Sequence, residues 1–287
     1  MNKTNFGLVG GDVRLLYAAR RLKSLGYGAC FYSPDGTLKT SQDFSDIELL
    51  SLCDCVKRAQ VIILPLPASR GDGKINCPLL SKELDAGALF SCVRRSTPVF
   101  AGKADKCISV AAREAGVRLT DYFTSESLLT SNALYTAEGA LSLIISELPR
   151  ALCGSDVAVF GYGRIASLLT RRLLSLGAGV RVVARSAARR ALAQADGAAP
   201  FAPERTCDAL DGVICAVNTV PARVLSAEAL SALAPAALIE LADCPGADAD
   251  EARRAGVRII PAPSLPGRFS PESAGSLIAD TVLSMLG

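Results

Sequence analysis

The sequence contains no histidine. Histidine is the commonest general acid–base at neutral pH and the commonest transition-metal ligand. Its absence excludes a Ser-His-Asp hydrolase, a histidine-based metalloenzyme, and a hydroxyacid dehydrogenase in which histidine carries the proton of the alcohol. Any proton transfer must therefore use Asp, Glu, Lys, Tyr, Cys or water.

Long apolar runs are absent as well. Half of the residues are hydrophobic (50%), but they fall in short runs between Gly, Pro and charged residues. No run approaches the roughly 18–20 apolar residues that a transmembrane helix needs. The first residues lead into a strand-like segment rather than into the apolar core of a signal peptide. We expect a soluble, cytoplasmic chain with no membrane contact.

A large excess of charge of one sign is also missing. Lys and Arg number 31 and Asp and Glu 28, an excess of only 3, which is too small for a typical nucleic-acid binder. The ten cysteines are scattered along the chain, and the close pair Cys53 and Cys55 lacks the two-residue spacer of zinc and redox motifs. We therefore expect no nucleic-acid partner and no metal site.

Strands alternate with helices through the first half of the chain, and this pattern implies a parallel sheet with helices on both faces. The apolar runs predict strands at 6–9, 27–32, 59–64, 97–100 and 117–120, and helices at 13–25, 46–56 and 103–115.

The alternation restarts after a predicted connecting helix at 136–148. Further strands are predicted at 156–160, 180–184, 212–217, 237–241 and 257–260, and further helices at 164–176, 227–233, 249–255 and 271–286. We predict an α/β fold with two doubly wound, Rossmann-like domains joined by a long helix, and a cleft between them that suits a small molecule. Residues 1–135 with 271–287 would form the substrate domain, and residues 136–270 the cofactor domain. The last helix is expected to pack against the first domain.

A glycine-rich turn in the second half predicts a dinucleotide site. Gly161-Tyr162-Gly163-Arg164-Ile165-Ala166 matches the pattern G-x-G-x-x-G/A, follows an apolar strand and opens a helix. Gly161 would allow the tight turn, and Gly163 would let the backbone approach the pyrophosphate at the helix N-terminus. The alternative is a plain glycine turn between a strand and a helix.

The end of the next strand indicates which dinucleotide binds. NAD-specific sites usually carry Asp or Glu there, whereas this chain has Ala184-Arg185-Ser186. A guanidinium and a hydroxyl suit the 2′-phosphate of NADP, which Arg can contact through charge-assisted, bidentate hydrogen bonds. The alternative is that Arg185 is a solvated residue at a strand end.

Several further motifs, in order along nearly the whole chain, resemble the dipicolinate synthase A-subunit family of spore-forming bacteria. They are Gly10-Gly11-Asp12 with Arg14, Leu64-Pro65-Leu66-Pro67, Asn132 with Thr136-Ala137-Glu138-Gly139, Gly161-Tyr162-Gly163-Arg164, Asn218-Thr219-Val220-Pro221-Ala222 and Leu265-Pro266-Gly267.

This resemblance implies oxidation of a dihydrodipicolinate-like intermediate of the lysine pathway to aromatic pyridine-2,6-dicarboxylate during sporulation. NADP would accept the hydride, and the flavoprotein-like B-subunit of dipicolinate synthase would be the partner of a homo-oligomeric chain. Because aromatisation supplies much of the driving force, the protein chiefly positions the ring and removes a proton. A site without histidine is compatible with that chemistry.

The dianionic substrate of this family implies basic and neutral donors around the site. Arg14 and Arg268 are the candidates for its carboxylates, and Asn76, Asn132 and Thr136 could add neutral donors. The alternatives are that such Arg residues are solvated and that Asn132 caps the connecting helix.

Catalytic and cofactor-lining residues complete the expected site. Glu138 is one candidate proton acceptor, and Asp12 is the other, although Asp12 could equally cap the first helix. Asn218, Thr219 and Pro221 follow a strand, where their backbone would line the nicotinamide pocket, unless they form an ordinary turn that Pro stops.

Two rival functions differ from this expectation. A shikimate-dehydrogenase-like reductase would suit the Asn218 segment, but it needs a Lys/Asp pair, and Lys103 and Asp105 at a helix start do not form a convincing one. A non-catalytic NADP-binding protein that regulates a partner enzyme would bind the cofactor without transferring hydride.

Overall fold

The structure, a computed structural model, describes residues 4–147 and 150–287. The chain divides into two compact units. The first contains the residues up to Ser131 together with Ser270–Gly287, and the second is Asn132–Phe269. The functional roles of the two units remain predictions.

Each unit is built on a six-stranded, fully parallel sheet. The first sheet has the order β3-β2-β1-β4-β7-β8, the second has the order β11-β10-β9-β12-β13-β14, and β5 and β6 form a small antiparallel hairpin in the first unit. The strands are β1 (Asn5–Leu8), β2 (Gly28–Tyr32), β3 (Glu48–Leu50), β4 (Val61–Ile63), β5 (Lys74–Ile75), β6 (Leu84–Asp85), β7 (Val99–Ala101), β8 (Leu119–Asp121), β9 (Asp156–Phe160), β10 (Gly179–Val183), β11 (Ala199–Phe201), β12 (Cys215–Asn218), β13 (Ala237–Glu240) and β14 (Arg258–Pro261).

Numbered within each unit's parallel sheet, both orders read 3-2-1-4-5-6, the order of the dinucleotide-binding Rossmann fold. In the second sheet, alternate residues of β9 point into two different cores: Val157 and Val159 into one, Ala158 and Phe160 into the other. Helices therefore cover both faces of that sheet. The predicted fold class of two doubly wound α/β domains is confirmed.

Twelve α-helices connect or follow these strands in the described residues. They are α1 (Val13–Ser24), α2 (Leu52–Arg58), α3 (Ala86–Cys92), α4 (Lys106–Glu114), α5 (Glu126–Glu147), α6 (Arg164–Ser175), α7 (Ala187–Ala195), α8 (Thr206–Leu210), α9 (Ala227–Leu233), α10 (Ala249–Ala255), α11 (Leu265–Phe269) and α12 (Pro271–Leu286).

One predicted helix is wrong. The segment 46–56 was expected to be helical throughout, but Glu48–Leu50 pairs with β2 as an edge strand. The Ser51 side chain accepts a hydrogen bond from the backbone N–H of Asp54, so it caps α2 and delays the helix start to Leu52. The connecting helix begins ten residues earlier than predicted, at Glu126, and Leu148 of that prediction lies outside the described residues.

Helix α5 is, among the described residues, the one helix long and apolar enough to cross a membrane, with a mean hydropathy of 1.2 over its best window. Ala137, Ala140 and Ile144 are fully buried in the core of the second unit. These residues place one face of α5 in the core of the second unit.

Helix α12 packs closely against α1, as predicted for the last helix. A side chain at Gly275 would place its Cβ 2.3 Å from the carbonyl oxygen of Arg14 and 2.6 Å from Cβ of Tyr17. The two helix backbones therefore approach each other at a point where only glycine fits.

Replacing Gly275 with Ala should lower the free energy of unfolding by about 1–3 kcal/mol, because the added methyl group forces the two helices apart. Urea denaturation followed by circular dichroism measures the change. Ser273→Ala, on the exposed face of the same helix, is the control and should leave stability nearly unchanged. Equal stability of the Gly275→Ala and Ser273→Ala variants would contradict the close packing.

Candidate cofactor site

The turn after β9 requires glycine at its first position. Gly161 has φ +90°, and a Cβ there would lie 2.7 Å from Oγ1 of Thr219 and 2.9 Å from Cγ2 of Val220. Its backbone N–H donates to the carbonyl of Val183 at 2.9 Å, which ties the turn to β10. The turn is thus packed against the ends of both neighbouring strands.

The third position of the turn faces open space. Gly163 is the N-cap of α6 and makes no side-chain capping hydrogen bond. Apart from Gly163 itself and its chain neighbours Tyr162 and Arg164, no atom of the described residues lies within 4 Å of the position that a Cβ at Gly163 would take. The first-turn N–H groups of a helix favour an anion, and here no side-chain cap competes for them. Arg164 and Ile165 form this first turn.

Tyr162 contributes its backbone to the turn and its side chain to the core. The residue is 4% exposed, and its hydroxyl donates to the Asp196 carboxylate, to which Arg171 also donates at 3.1 Å. Burial raises the pKa of Tyr162, and the hydrogen bond from Tyr162 lowers the pKa of Asp196. The buried side chain of Tyr162 therefore fixes the position of the turn.

Two exposed arginines stand at the far end of the pocket. Arg185 follows β10, and Arg189 lies in the first turn of α7. The Ser186 hydroxyl accepts from the backbone N–H of Arg189 at 3.4 Å and caps α7. Arg190 donates to the carbonyl oxygens of Ala184 and Arg185 at 2.7 and 2.8 Å, which fixes the backbone that carries Arg185. Two guanidinium groups thus face one pocket.

These elements enclose a pocket of about 500 Å³, the size of a small-molecule or cofactor site. It lies at the carboxyl ends of β9, β10 and β12, where the strand order reverses. It is lined by Phe160, Gly161, Tyr162, Gly163, Val183, Ala184, Arg185, Ser186, Arg189, Pro203, Thr206, Thr219, Val220, Pro221, Ala222, Arg223 and Val224.

The opposite wall is held by Asn218, which is fully buried. Its Oδ1 accepts from the backbone N–H of Val220 at 2.9 Å, and its Nδ2 donates to the carbonyl of the same residue at 3.0 Å. The Thr219 hydroxyl donates to the carbonyl of Phe160 at 2.7 Å. These bonds hold the segment from Thr219 to Pro221, which lines the pocket, whereas Asn218 is buried behind it.

Sequence reasoning missed Arg189, Arg223 and Glu240. Arg189 could have been found, since it lies four residues after Arg185, in the first turn of a helix that was not predicted. Arg223 lines the pocket but forms an ion pair with Asp248 at 2.6 Å. Glu240, at the end of β13, is buried beside Asn218, and nothing in its local sequence signals that contact.

In the first unit, three predicted residues come together at the carboxyl ends of β1 and β4. The Asp12 side chain caps α1 and binds Arg14 at 2.8 Å, and Arg14 also donates to the carbonyl of Leu66 at 2.5 Å. The carbonyl of Asn76 accepts from Gly11 at 2.7 Å, and its Nδ2 donates to the carbonyl of Pro67 at 3.2 Å. Arg14 is buried, so the alternative that it is solvated is wrong.

Asn132 and Thr136 share one face of α5 in the second unit, and the Thr136 hydroxyl donates to the carbonyl of Asn132 at 2.7 Å. Asn132 lies inside the helix, so the alternative that it caps the helix is wrong. Arg268, in α11, is exposed and its guanidinium lies 5.4 Å from the centre of the Phe269 ring. Helix α11 packs on α5 at Gly139, one turn beyond Thr136.

Glu138 lies elsewhere on α5. A helix turns about 100° per residue, so Glu138 is about 200° around the axis from Thr136. Its Oε1 is 3.5 Å from Nη2 of Arg172, a residue about 13 Å along α6 from Gly163 at 1.5 Å per residue. Glu138 therefore forms a surface ion pair and does not line the pocket at the glycine turn; its predicted role as proton acceptor stays a prediction.

The sequence of this chain is similar to dipicolinate synthase A-subunits. A family model for the N-terminal domain of the dipicolinate synthase A-subunit matches residues 5–123. The dipicolinate synthase A-subunit of Bacillus subtilis (strain 168) is 28% identical over 292 residues, covering 97% of this chain and 94% of that protein.

Solved structures show the same similarity. The dipicolinate synthase A-subunit from Bacillus halodurans matches with a TM-score of 0.85 and 24% identity, covering 100% of this chain and 99% of that chain. The corresponding polypeptide of dipicolinate synthase from Bacillus subtilis gives a TM-score of 0.82 and 26% identity, covering 100% and 96%. An L-alanine dehydrogenase matches with a TM-score of 0.64 and 14% identity, covering 99% of this chain and 89% of that chain. The predicted resemblance is confirmed, and the fold is that of dehydrogenases.

Proposed function

We propose that this chain belongs to the dipicolinate synthase A-subunit family, which it resembles in sequence and fold, and that it oxidises a dihydrodipicolinate-like dicarboxylate to dipicolinate with NADP. The observation that carries the cofactor assignment is the pocket of the second unit, where a glycine turn and a helix N-terminus lie at one end and Arg185 and Arg189 at the other. The rival shikimate-dehydrogenase-like function has no comparable support.

The residues present fit a dinucleotide. The open space beside Gly163 would admit the pyrophosphate close to the backbone, and the α6 N-terminus would stabilise its charge. Arg185 and Arg189 would hold the 2′-phosphate of NADP, since guanidinium groups bind phosphate through charge-assisted hydrogen bonds. The backbone from Thr219 to Pro221 would line the nicotinamide end. NADP would supply the hydride acceptor when bound.

The proposed substrate contacts follow from charge and exposure. Arg268 is the candidate for a substrate carboxylate, because its guanidinium is exposed. Arg14 already binds Asp12 and Leu66, so we propose that it shapes the site together with Asn76. Asn132 would add a neutral donor, whereas the Thr136 hydroxyl already donates to the carbonyl of Asn132 and would hold the helix backbone there.

Oxidation of the dihydropyridine ring removes a hydride and one proton, and leaves aromatic dipicolinate, the reduced cofactor and that proton. Asp12 is the proposed acceptor, with its side chain 23% exposed. We do not propose Glu138, because of its place opposite Thr136 on α5. Water is the alternative acceptor in a chain without histidine.

The family name implies a partner, and we propose that the flavoprotein-like B-subunit completes the enzyme in the cytoplasm of a sporulating cell, with this chain as a homo-oligomer. A non-catalytic, NADP-binding regulatory role is the second function that the same pocket would support.

The experiment that tests this function follows absorbance at 340 nm with the purified chain, NADP and freshly generated dihydrodipicolinate, with and without the B-subunit. NADPH formation that matches dipicolinate formation is expected, with NAD a weaker acceptor. Tight NADP binding without hydride transfer under either condition would contradict the synthase activity and support the regulatory role.

A further inference from the structure

A buried carboxyl group lies beside the proposed cofactor pocket but does not line it. Glu240 is 8% exposed at the end of β13. Its Oε2 accepts from the backbone N–H of Gly246 at 2.8 Å and from Nδ2 of Asn218 at 3.3 Å. Its Oε1 is buried and has no hydrogen-bond partner among the described residues. Burial raises the pKa of Glu240, while the bonds from Gly246 and Asn218 act in the opposite direction.

Glu240 joins two loops. Through Asn218 it reaches the segment 218–225, where the Asn218 carboxamide holds both the N–H and the carbonyl of Val220. Through the N–H of Gly246, Glu240 also contacts the segment 243–247. The carbonyl of Gly246 in turn accepts from the N–H groups of Val224 and Leu225 at 2.8 and 3.0 Å. The carboxyl group is the point at which these two sets of bonds meet.

The packing at this junction leaves little room for adjustment. A Cβ at Gly246 would lie 2.4 Å from Nδ2 of Asn218 and 3.0 Å from Oε1 of Glu240. On the far side, Thr219 and Val220 lie against Gly161. A displacement of Asn218 would therefore be transmitted to the wall of the pocket within two residues.

A buried carboxyl with one unpartnered oxygen costs stability, because a desolvated polar atom forfeits its hydrogen bonds to water. An apolar side chain at this position would avoid that cost but would leave Nδ2 of Asn218 and the N–H of Gly246 without their shared acceptor. Glu240 therefore holds the two loops in place at a cost in local stability.

We propose that Glu240 is a positioning residue of the cofactor pocket: by accepting from Asn218 and Gly246 it holds the segment 218–225 against Gly161, and cofactor affinity depends on it although it does not line the pocket. The identity of the cofactor rests on the proposed function. What the residue must supply is an acceptor oxygen at this distance from the backbone, and a negative charge is not needed.

Glutamine keeps that oxygen, whereas leucine removes it and aspartate withdraws it by one methylene. Isothermal titration calorimetry of the full chain with NADPH should give a Kd for Glu240→Leu at least about tenfold above the wild-type value, which corresponds to about 1.4 kcal/mol. Glu240→Asp should also bind NADPH more weakly than wild type. This variant tests the proposal if the leucine variant fails to fold. Glu240→Gln should bind within about threefold of wild type, a difference below about 1 kcal/mol.

The control is Thr170→Val. Its Oγ1 is the other buried side-chain atom without a partner among the described residues, and it lies in α6, away from both loops. This variant separates the loss of a buried polar atom from the loss of the loop contacts, and its Kd should equal that of wild type.

Wild-type Kd values for Glu240→Leu and Glu240→Asp, whatever their thermal stability, would overturn the proposal. A glutamine variant as weak as the leucine variant would overturn the acceptor role. If the wild-type chain itself fails to bind NADPH, the proposed function fails, and that result is distinguishable because it appears before any variant is compared.

Discussion

Replacement of Gly163 by alanine is expected to weaken NADPH binding by at least about tenfold, or about 1.4 kcal/mol, while the free energy of unfolding stays nearly unchanged. Gly163 has an ordinary extended backbone, with φ −90°, and beyond its chain neighbours no atom in the described part of the chain lies within 4 Å of the new methyl group. Only a ligand that approaches the backbone at this point would meet it.

The comparison with Gly161 makes this result specific. Gly161→Ala should weaken binding too, but it should also destabilise the fold by about 1–3 kcal/mol, because its positive φ and its contact with Thr219 both exclude a Cβ. Calorimetry with NADPH and urea denaturation would be run on both variants. Gly212→Ala, with φ +70° and open space around it, measures the backbone strain alone. Normal NADPH binding by Gly163→Ala would place the pyrophosphate elsewhere.

The glycine turn could be found from the sequence because its signals are local. An apolar strand, two glycines and an amphipathic helix follow one another within about 20 residues, and each signal is set by neighbouring residues. The same holds for the alternation of strands and helices, which was sufficient to predict two doubly wound domains.

Contacts between distant residues were not predictable in this way. Glu240 and Asn218 are 22 residues apart and meet only because β12 and β13 are neighbours in the sheet, so their strand ends lie side by side. Asp12 and Arg14 were predicted as separate site residues. The cap geometry of α1 turns both side chains toward each other, and the sequence alone does not reveal that Arg14 also reaches the carbonyl of Leu66.

One missed helix and one unknown helix face left the expectations about the site incomplete. The helix α7 was not predicted, so Arg189 was not recognised as a neighbour of Arg185. Glu138 was placed correctly in a helix, but the face it occupies depends on which side of α5 packs against the core. Ala137, Ala140 and Ile144 define that side, and it turns Glu138 toward Arg172.

The two arginines are expected to decide between NADP and NAD. Each Arg→Ala change at 185 or 189 removes a charge-assisted hydrogen bond to the 2′-phosphate, worth about 1.5–3 kcal/mol, and should raise the Kd for NADPH by about 10- to 150-fold. The Kd for NADH should change little, because that cofactor has only hydroxyls at this position. The selectivity should therefore fall toward equality in the double variant, which calorimetry with both nucleotides measures.

Salt dependence gives this prediction a second, independent readout. Loss of two phosphate-contacting charges should flatten the dependence of the NADPH Kd on ionic strength, since the ion pairs that salt screens are gone. Arg205→Ala is the matched control. Arg205 is exposed, pairs with Asp208 and stacks on Phe201 near the same edge of the sheet, but it does not line the pocket. If Arg185→Ala and Arg189→Ala behave like Arg205→Ala, the 2′-phosphate does not bind here. The chain would then distinguish its cofactor by some other contact, or use NAD, and the glycine-turn variants would still report which end of the pocket holds the pyrophosphate.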